Sequence, residues 1–130
     1  MKPSGLPRHA RLKSRTDIDE LFAGGQRFSV FPLLLWHRTL PGGPATLQAG
    51  FTCSKKHFKK AVDRNRVKRL MREAYRLQAA SLRGRVAEGD AGLHLFFVFI
   101  DKQLPEYPAI FAAMGKALQQ IKKKTYEGAR

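Results

Sequence analysis

The chain has 130 residues, 43% of them hydrophobic, and a formal net charge of +15. That size and apolar content suit one small packed domain and exclude a disordered chain. The charge far exceeds what solubility needs and points to a poly-anionic partner, nucleic acid or anionic membrane. Membrane is the weaker reading: the longest apolar run, Leu93 to Ile100, contains His94 and is too short to span a bilayer. No apolar stretch follows the basic start, so no secretory signal is expected and a cytoplasmic, reducing location fits.

Residues 1–14 are basic and punctuated by Pro3, Gly5 and Pro7. They read as a flexible arm, either a solvated tail or one that drapes on RNA through Arg8, Arg11, Lys13 and Arg15. Thr16 is a suitable N-cap, with Asp17, Asp19 and Glu20 in the first turn, for a short helix from Asp17 to Ala23. Gly24 and Gly25 end it, glycine tolerating the left-handed residue after a helix. Ile18, Leu21 and Phe22 share one face. Gln26 to His37 reads as extended chain broken by Pro32, giving a short edge piece and a main strand from Leu33 to Arg38. Leu40 to Pro44 has the composition of a turn. Ala45 to Thr52 is expected to return as an antiparallel strand, with Leu47, Ala49 and Phe51 on one face and Gln48, Gly50 and Thr52 on the other. Cys53, the only cysteine, excludes an intrachain disulfide and reads as a small half-buried residue. The histidines His9, His37, His57 and His94 show no metal-ligand spacing with it or one another.

Lys55 to Arg76 dominates the sequence. It carries ten basic residues, Lys55, Lys56, Lys59, Lys60, Arg64, Arg66, Lys68, Arg69, Arg72 and Arg76, against the acids Asp63 and Glu73. Val67, Leu70, Met71, Ala74 and Leu77 recur at three- and four-residue steps, which predicts an amphipathic helix from Ala61 to Leu82, closed by Arg83, Gly84 and Arg85. Asn65, Lys68, Arg69, Arg72 and Arg76 fall opposite that stripe. Like charges at this density repel at i, i+4 spacing, and Arg69–Glu73 is the clear offsetting pair. An external poly-anion supplies the missing compensation, because each neutralised phosphate releases a counterion. A polar loop from Arg85 to Gly92 precedes the Leu93 to Ile100 run, which reads as a buried strand. Tyr107 to Lys123 forms a last helix with Ile110, Phe111, Met114, Leu118 and Ile121 along one stripe. Lys122, Lys123 and Lys124 complement its dipole.

The string Ser54-Lys55-Lys56, followed by Ala61-Val62-Asp63-Arg64-Asn65-Arg66-Val67-Lys68-Arg69-Leu70-Met71-Arg72-Glu73, resembles the bacterial ribonuclease P protein component. Its pattern is Arg-Asn-Arg, x, Lys-Arg-Leu, x, Arg after a Ser/Ala-Lys-Lys turn. Arg11-Leu12, Asp17-Ile18, Leu21-Phe22 and Gly25 match its N-terminal pattern, and the resemblance runs over residues 8 to 125. It implies an α+β, two-layer sandwich of one domain (residues 15–125, between the arm and a tail at 126–130), in the order α-β-β-β-α-β-α. The sheet would be mostly antiparallel, with helices packed on it and a left-handed β-α-β crossover.

The resemblance also implies a role. The protein would be a non-catalytic subunit of ribonuclease P, an endonuclease that removes the 5′ leader of precursor tRNA. A catalytic RNA would perform the hydrolysis with Mg²⁺, and the protein alone would bind no metal. One protein per RNA would hold the catalytic RNA through the basic helix and grip the single-stranded leader in a cleft. Ile18, Phe22, Trp36, Gly50 and Thr52 fall at cleft positions. Isoleucine stands at position 18 where the family has Phe, so contact there is apolar without stacking. Asp101-Lys102 stands where the family often has a basic residue directly after the strand. Core packing is the competing reading for Phe22 and Trp36. On the residues alone, the runner-up function is a structural ribosomal-type RNA-binding protein. A helix-turn-helix DNA regulator and a protein nuclease rank lower, for want of the turn spacing and of an acid or His cluster.

Overall fold

A computed structural model describes residues 6–127. A 3₁₀ turn, Arg8–Ala10, leads into α1 (Arg15–Gly24), β1 (Gln26–Val30), β2 (Leu33–Pro41), β3 (Leu47–Cys53), α2 (Ala61–Gln78), α3 (Ala80–Glu88), β4 (Ala91–Phe99) and α4 (Tyr107–Lys122), followed by a π-helical turn, Lys123–Glu127. The sheet has the order β1-β2-β4-β3. β1 with β2 and β2 with β4 are antiparallel; β3 with β4 is parallel. The expected mixed fold holds, but β3 is not an antiparallel neighbour of β2. β4 lies between them, because its unbroken apolar run belongs where both faces and both edges are covered. β3, with Gln48 and Thr52, takes the edge.

The helical layer packs on one face of the sheet. Leu33, Leu35, Leu93, Leu95, Phe97 and Phe99 meet Val67, Met71 and Tyr75 of α2, Leu82 and Val86 of α3, and Ile110, Met114 and Ile121 of α4. The buried arc of α2 is rotated from the stripe drawn on the sequence. Tyr75 is buried, Leu70 only half-buried, and Leu77 is exposed. Tyr75 causes the rotation: its ring packs edge-on against Phe51 and Phe97, at 5.6 and 5.8 Å between centroids. Phe111 of α4 is likewise exposed, Ala113 and Ala117 filling the stripe instead.

Other boundaries moved for local reasons. The Ser14 hydroxyl, not Thr16, caps α1 by accepting from the Asp17 amide at 3.2 Å. Gly25 follows with φ −85°, so no left-handed residue ends that helix. Glycine is needed there because a Cβ would lie 2.5 Å from the Leu21 carbonyl and 2.9 Å from that of His37. The expected single helix breaks at Ala79, and its continuation runs through Gly84 to Glu88. Buried Leu82 and Val86, four apart, hold this segment down while Gly84 faces open space. Packing outweighs the glycine penalty. The loop expected from Arg85 shrinks to Gly89 and Asp90.

Residues 6–14 of the basic arm lie on the fold. Leu6 and Leu12 are buried, the Leu12 amide donates to the Ala49 carbonyl at 3.0 Å, and Gln48 donates to the His9 carbonyl. Apolar residues inside the basic arm dock it along β3. Residues 1–5 and 128–130 lie outside the described residues. No described helix is long and apolar enough to cross a membrane.

Candidate RNA interface

The second face of the sheet carries α1 over only part of its area. Strand alternation and register set out this face in rows. Arg38, His94 and Gln48 form one; Trp36, Phe96 and Gly50 the next; Leu34, Val98 and Thr52 the last. α1 docks through buried Leu21, with Ile18 and Leu12 closing a small cluster around Phe96, Trp36 and Val98. An ion pair from Arg38 to Glu20, at 3.1 Å, ties the helix to β2.

Phe22 stands at the border of this cluster, 40% exposed. Its ring meets Trp36 edge-on at 5.1 Å and Phe96 at 5.4 Å. The Arg27 guanidinium lies over the Trp36 ring, 5.4 Å from the centroid. Three aromatic rings and a cation therefore share one corner of an otherwise half-open face. This is the chemistry that stacks unpaired bases and tracks their phosphates.

The expected cleft residues do not all behave alike. Ile18, Trp36 and Thr52 are half-buried on this face. Gly50 is buried, and the space above it is taken: a Cβ there would lie 2.6 Å from the Phe96 ring and 3.2 Å from the Leu12 carbonyl. Its missing side chain admits the Phe96 ring. Phe96, Arg27 and Arg38 also lie on this face and do not stand out along the sequence. Alternation counted from Trp36 would have found Phe96, once β2 and β4 are paired.

The cationic surface adjoins this face around the β3 edge. Thr52 lies one residue from the end of β3, where the chain leaves for the linker bearing Lys55, Lys56, Lys59 and Lys60, all exposed. Asn65, Arg66 and Arg69 are exposed on α2; Lys68, Arg72 and Arg76 are half-buried. The Arg72 guanidinium lies over the Phe51 ring at 6.0 Å. Burial first, then the charges of Arg11 and Arg69, lower its proton affinity. Arginines from two segments thus crowd one strip, joining Arg11 of the arm to the basic group of α2.

Two candidates have other work. Arg64 turns back on the linker and donates from Nη1 to the carbonyls of Phe58 and Lys59, at 2.8 and 2.9 Å. Glu73 pairs with Arg76, at 2.7 Å, and not with Arg69. That leaves the exposed Arg69 outside every ion pair among the described residues.

Cys53 is buried, and burial raises its thiol's pKa against the opposing charges of Arg64 and Lys68. Among the described residues no group of three or more His, Cys, Asp or Glu could hold a metal ion.

The family model for ribonuclease P matches residues 6–122. The chain belongs to the ribonuclease P protein family. It is 36% identical over 118 residues to a ribonuclease P protein component of Porphyromonas gingivalis, covering 90% of this chain and 86% of that one. It is 40% identical over 86 residues to that of Nitrosococcus oceani, covering 65% and 70%. The ribonuclease P protein of Staphylococcus aureus, solved at 2.0 Å, superposes with a TM-score of 0.65 over 88% of this chain and 95% of that one. At 17% identity that likeness shows the shared fold. The Arg-Asn-Arg helix and the half-open sheet face are thus features of a ribonuclease P protein component.

Proposed function

We propose that this chain is the RNA-gripping subunit of a ribonuclease P that trims the 5′ leader from precursor tRNA. The observation that supports it most is one of placement: the Phe22, Trp36 and Phe96 rings lie on the same sheet face as Thr52, beside the start of the basic linker. A leader strand stacks on the Phe22 and Trp36 rings, with buried Phe96 backing them. Its phosphates run toward Lys55–Lys60, while Asn65, Arg66, Lys68, Arg69 and Arg72 hold the catalytic RNA. Stacking on every base alike gives affinity without sequence preference. Hydrolysis belongs to the RNA and its Mg²⁺, in a cytoplasmic assembly with one protein per RNA.

The test is cleavage of a precursor tRNA by a bacterial ribonuclease P RNA in moderate Mg²⁺, with and without this protein. The proposal expects faster cleavage at the mature 5′ end with the protein, and none from rigorously RNA-free protein. Binding of both RNAs with no change in cleavage would instead favour a structural, ribosomal-type RNA-binding role.

A further inference from the structure

A groove between the α2–α3 junction and α4 lies in the helical layer, away from the sheet face that carries the aromatic rings. Gln78, Ser81, Phe111, Lys116, Gln119 and Lys122 line it, around a cavity of about 440 Å³. Three other clefts are each edged by a carboxylate: Asp90 in one, Asp17 in the second, Asp101 and Glu106 in the third. This one has none. Neither of its lysines pairs with a carboxylate among the described residues.

The groove is built with some specificity. The Gln78 amide nitrogen donates to the carbonyls of Ala74 and Phe111, at 3.2 and 3.0 Å, which fixes its oxygen as an acceptor on the groove wall. Gly115 makes room for that oxygen, since a Cβ there would lie 2.6 Å away. Lys122 donates to the Ser81 hydroxyl at 2.7 Å, so its charge is held at the rim. Phe111 is 37% exposed beside it, and Lys116 and Gln119 are free on the outer face of α4. An aromatic face, two amides able to meet base edges and two cations for phosphates form a set suited to unpaired nucleotides.

We infer that this groove is a second site for single-stranded RNA, on the opposite layer from the leader cleft. One protein would then hold two single-stranded segments at once, in addition to the catalytic RNA on α2. The inference stands on the groove's own residues and does not depend on the leader being bound.

The test is an NMR titration of the ¹⁵N-labelled full chain with a uridine hexanucleotide. Backbone amides of Gly115, Lys116 and Gln119 report on the groove, and the Trp36 indole reports on the cleft. The inference expects saturable shifts in the groove set. In the double variant Lys116→Gln/Lys122→Gln, affinity at the groove should fall at least fivefold while the Trp36 titration is unchanged. The salt dependence of groove binding should also flatten, by about 1.4 in log–log slope for two lost single-strand contacts. Groove amides that stay still at saturating RNA overturn it, as do shifts that persist in the double variant. So does a poly-glutamate peptide moving these amides where RNA does not, which would make the groove a site for acidic protein. Movement of the groove set without Trp36 would count against the leader cleft alone.

Discussion

Replacing Arg64 and Arg69 in turn with alanine separates two roles that look identical along the sequence. Arg64 makes two charge-assisted hydrogen bonds to linker carbonyls, at 2.8 and 2.9 Å. Such bonds contribute about 1.5–3 kcal/mol each when dry, and both are partly wet here, so about 2 kcal/mol in all is expected. For a domain of this size that corresponds to a fall of about 6–10 °C in melting temperature. Arg69 is exposed and pairs with no described acid, so its removal should cost within about 0.5 kcal/mol. Both variants should bind ribonuclease P RNA more weakly. Arg69→Ala should lower the log–log salt slope by about 0.9, one contact's worth. Arg64→Ala should lower it further, because Lys55 to Lys60 lose the frame that holds them. Thermal melts followed by circular dichroism, with RNA binding across a salt series, give both quantities. Melting temperatures that agree for the two variants would refute the reasoning and make Arg64 an ordinary surface cation.

Other outcomes follow from the packing. Met71→Ala, at a fully buried site, should cost about 2–5 kcal/mol in urea unfolding and Leu70→Ala clearly less; the reverse order would restore the stripe drawn on the sequence. Gly50→Ala forces Phe96 to move and should cost about 1–3 kcal/mol; leader binding should weaken too, and unchanged leader affinity would detach Phe96 from the cleft. Burial lowers the pKa of His37 and His94, so both favour the neutral form in the folded state. Stability should therefore be flat above the unfolded-state value near 6.5 and decline as pH falls below it, where the unfolded chain binds more protons. His94→Gln should flatten that decline in melting temperature against pH, and an unaltered profile would count against the assignment.

Much of this architecture can be read from residue order, and the failures have physical causes. The apolar run at Leu93–Ile100 announces a buried strand, and alternation places Gln48, Gly50 and Thr52 on one face. Alternation says nothing about which strand lies alongside, so the parallel pairing of β3 with β4 stays hidden. The rotation of α2 is hidden because Tyr75, with its hydroxyl, does not register as a stripe residue although it is fully buried. Arg64 and Arg69 are the same residue type on the same helix, yet only the folded linker decides which one faces carbonyl oxygens. The spacing Arg64-Asn65-Arg66 and Lys68-Arg69 marks the family plainly. The aromatic corner is legible only in part, since Phe22 and Trp36 stand out while Phe96 hides inside a strand that looks wholly buried.

The proposed function requires that one protein face grip the leader. It is tested most directly by binding of the reconstituted holoenzyme to precursor tRNAs whose leaders are lengthened one nucleotide at a time, against mature tRNA. The protein should leave mature tRNA affinity unchanged and tighten binding as the leader grows, until the cleft is filled. Trp36→Ala should remove about 1–3 kcal/mol of that gain. Equal tightening of mature and precursor tRNA would contradict it, leaving a basic surface that grips RNA without regard to the leader.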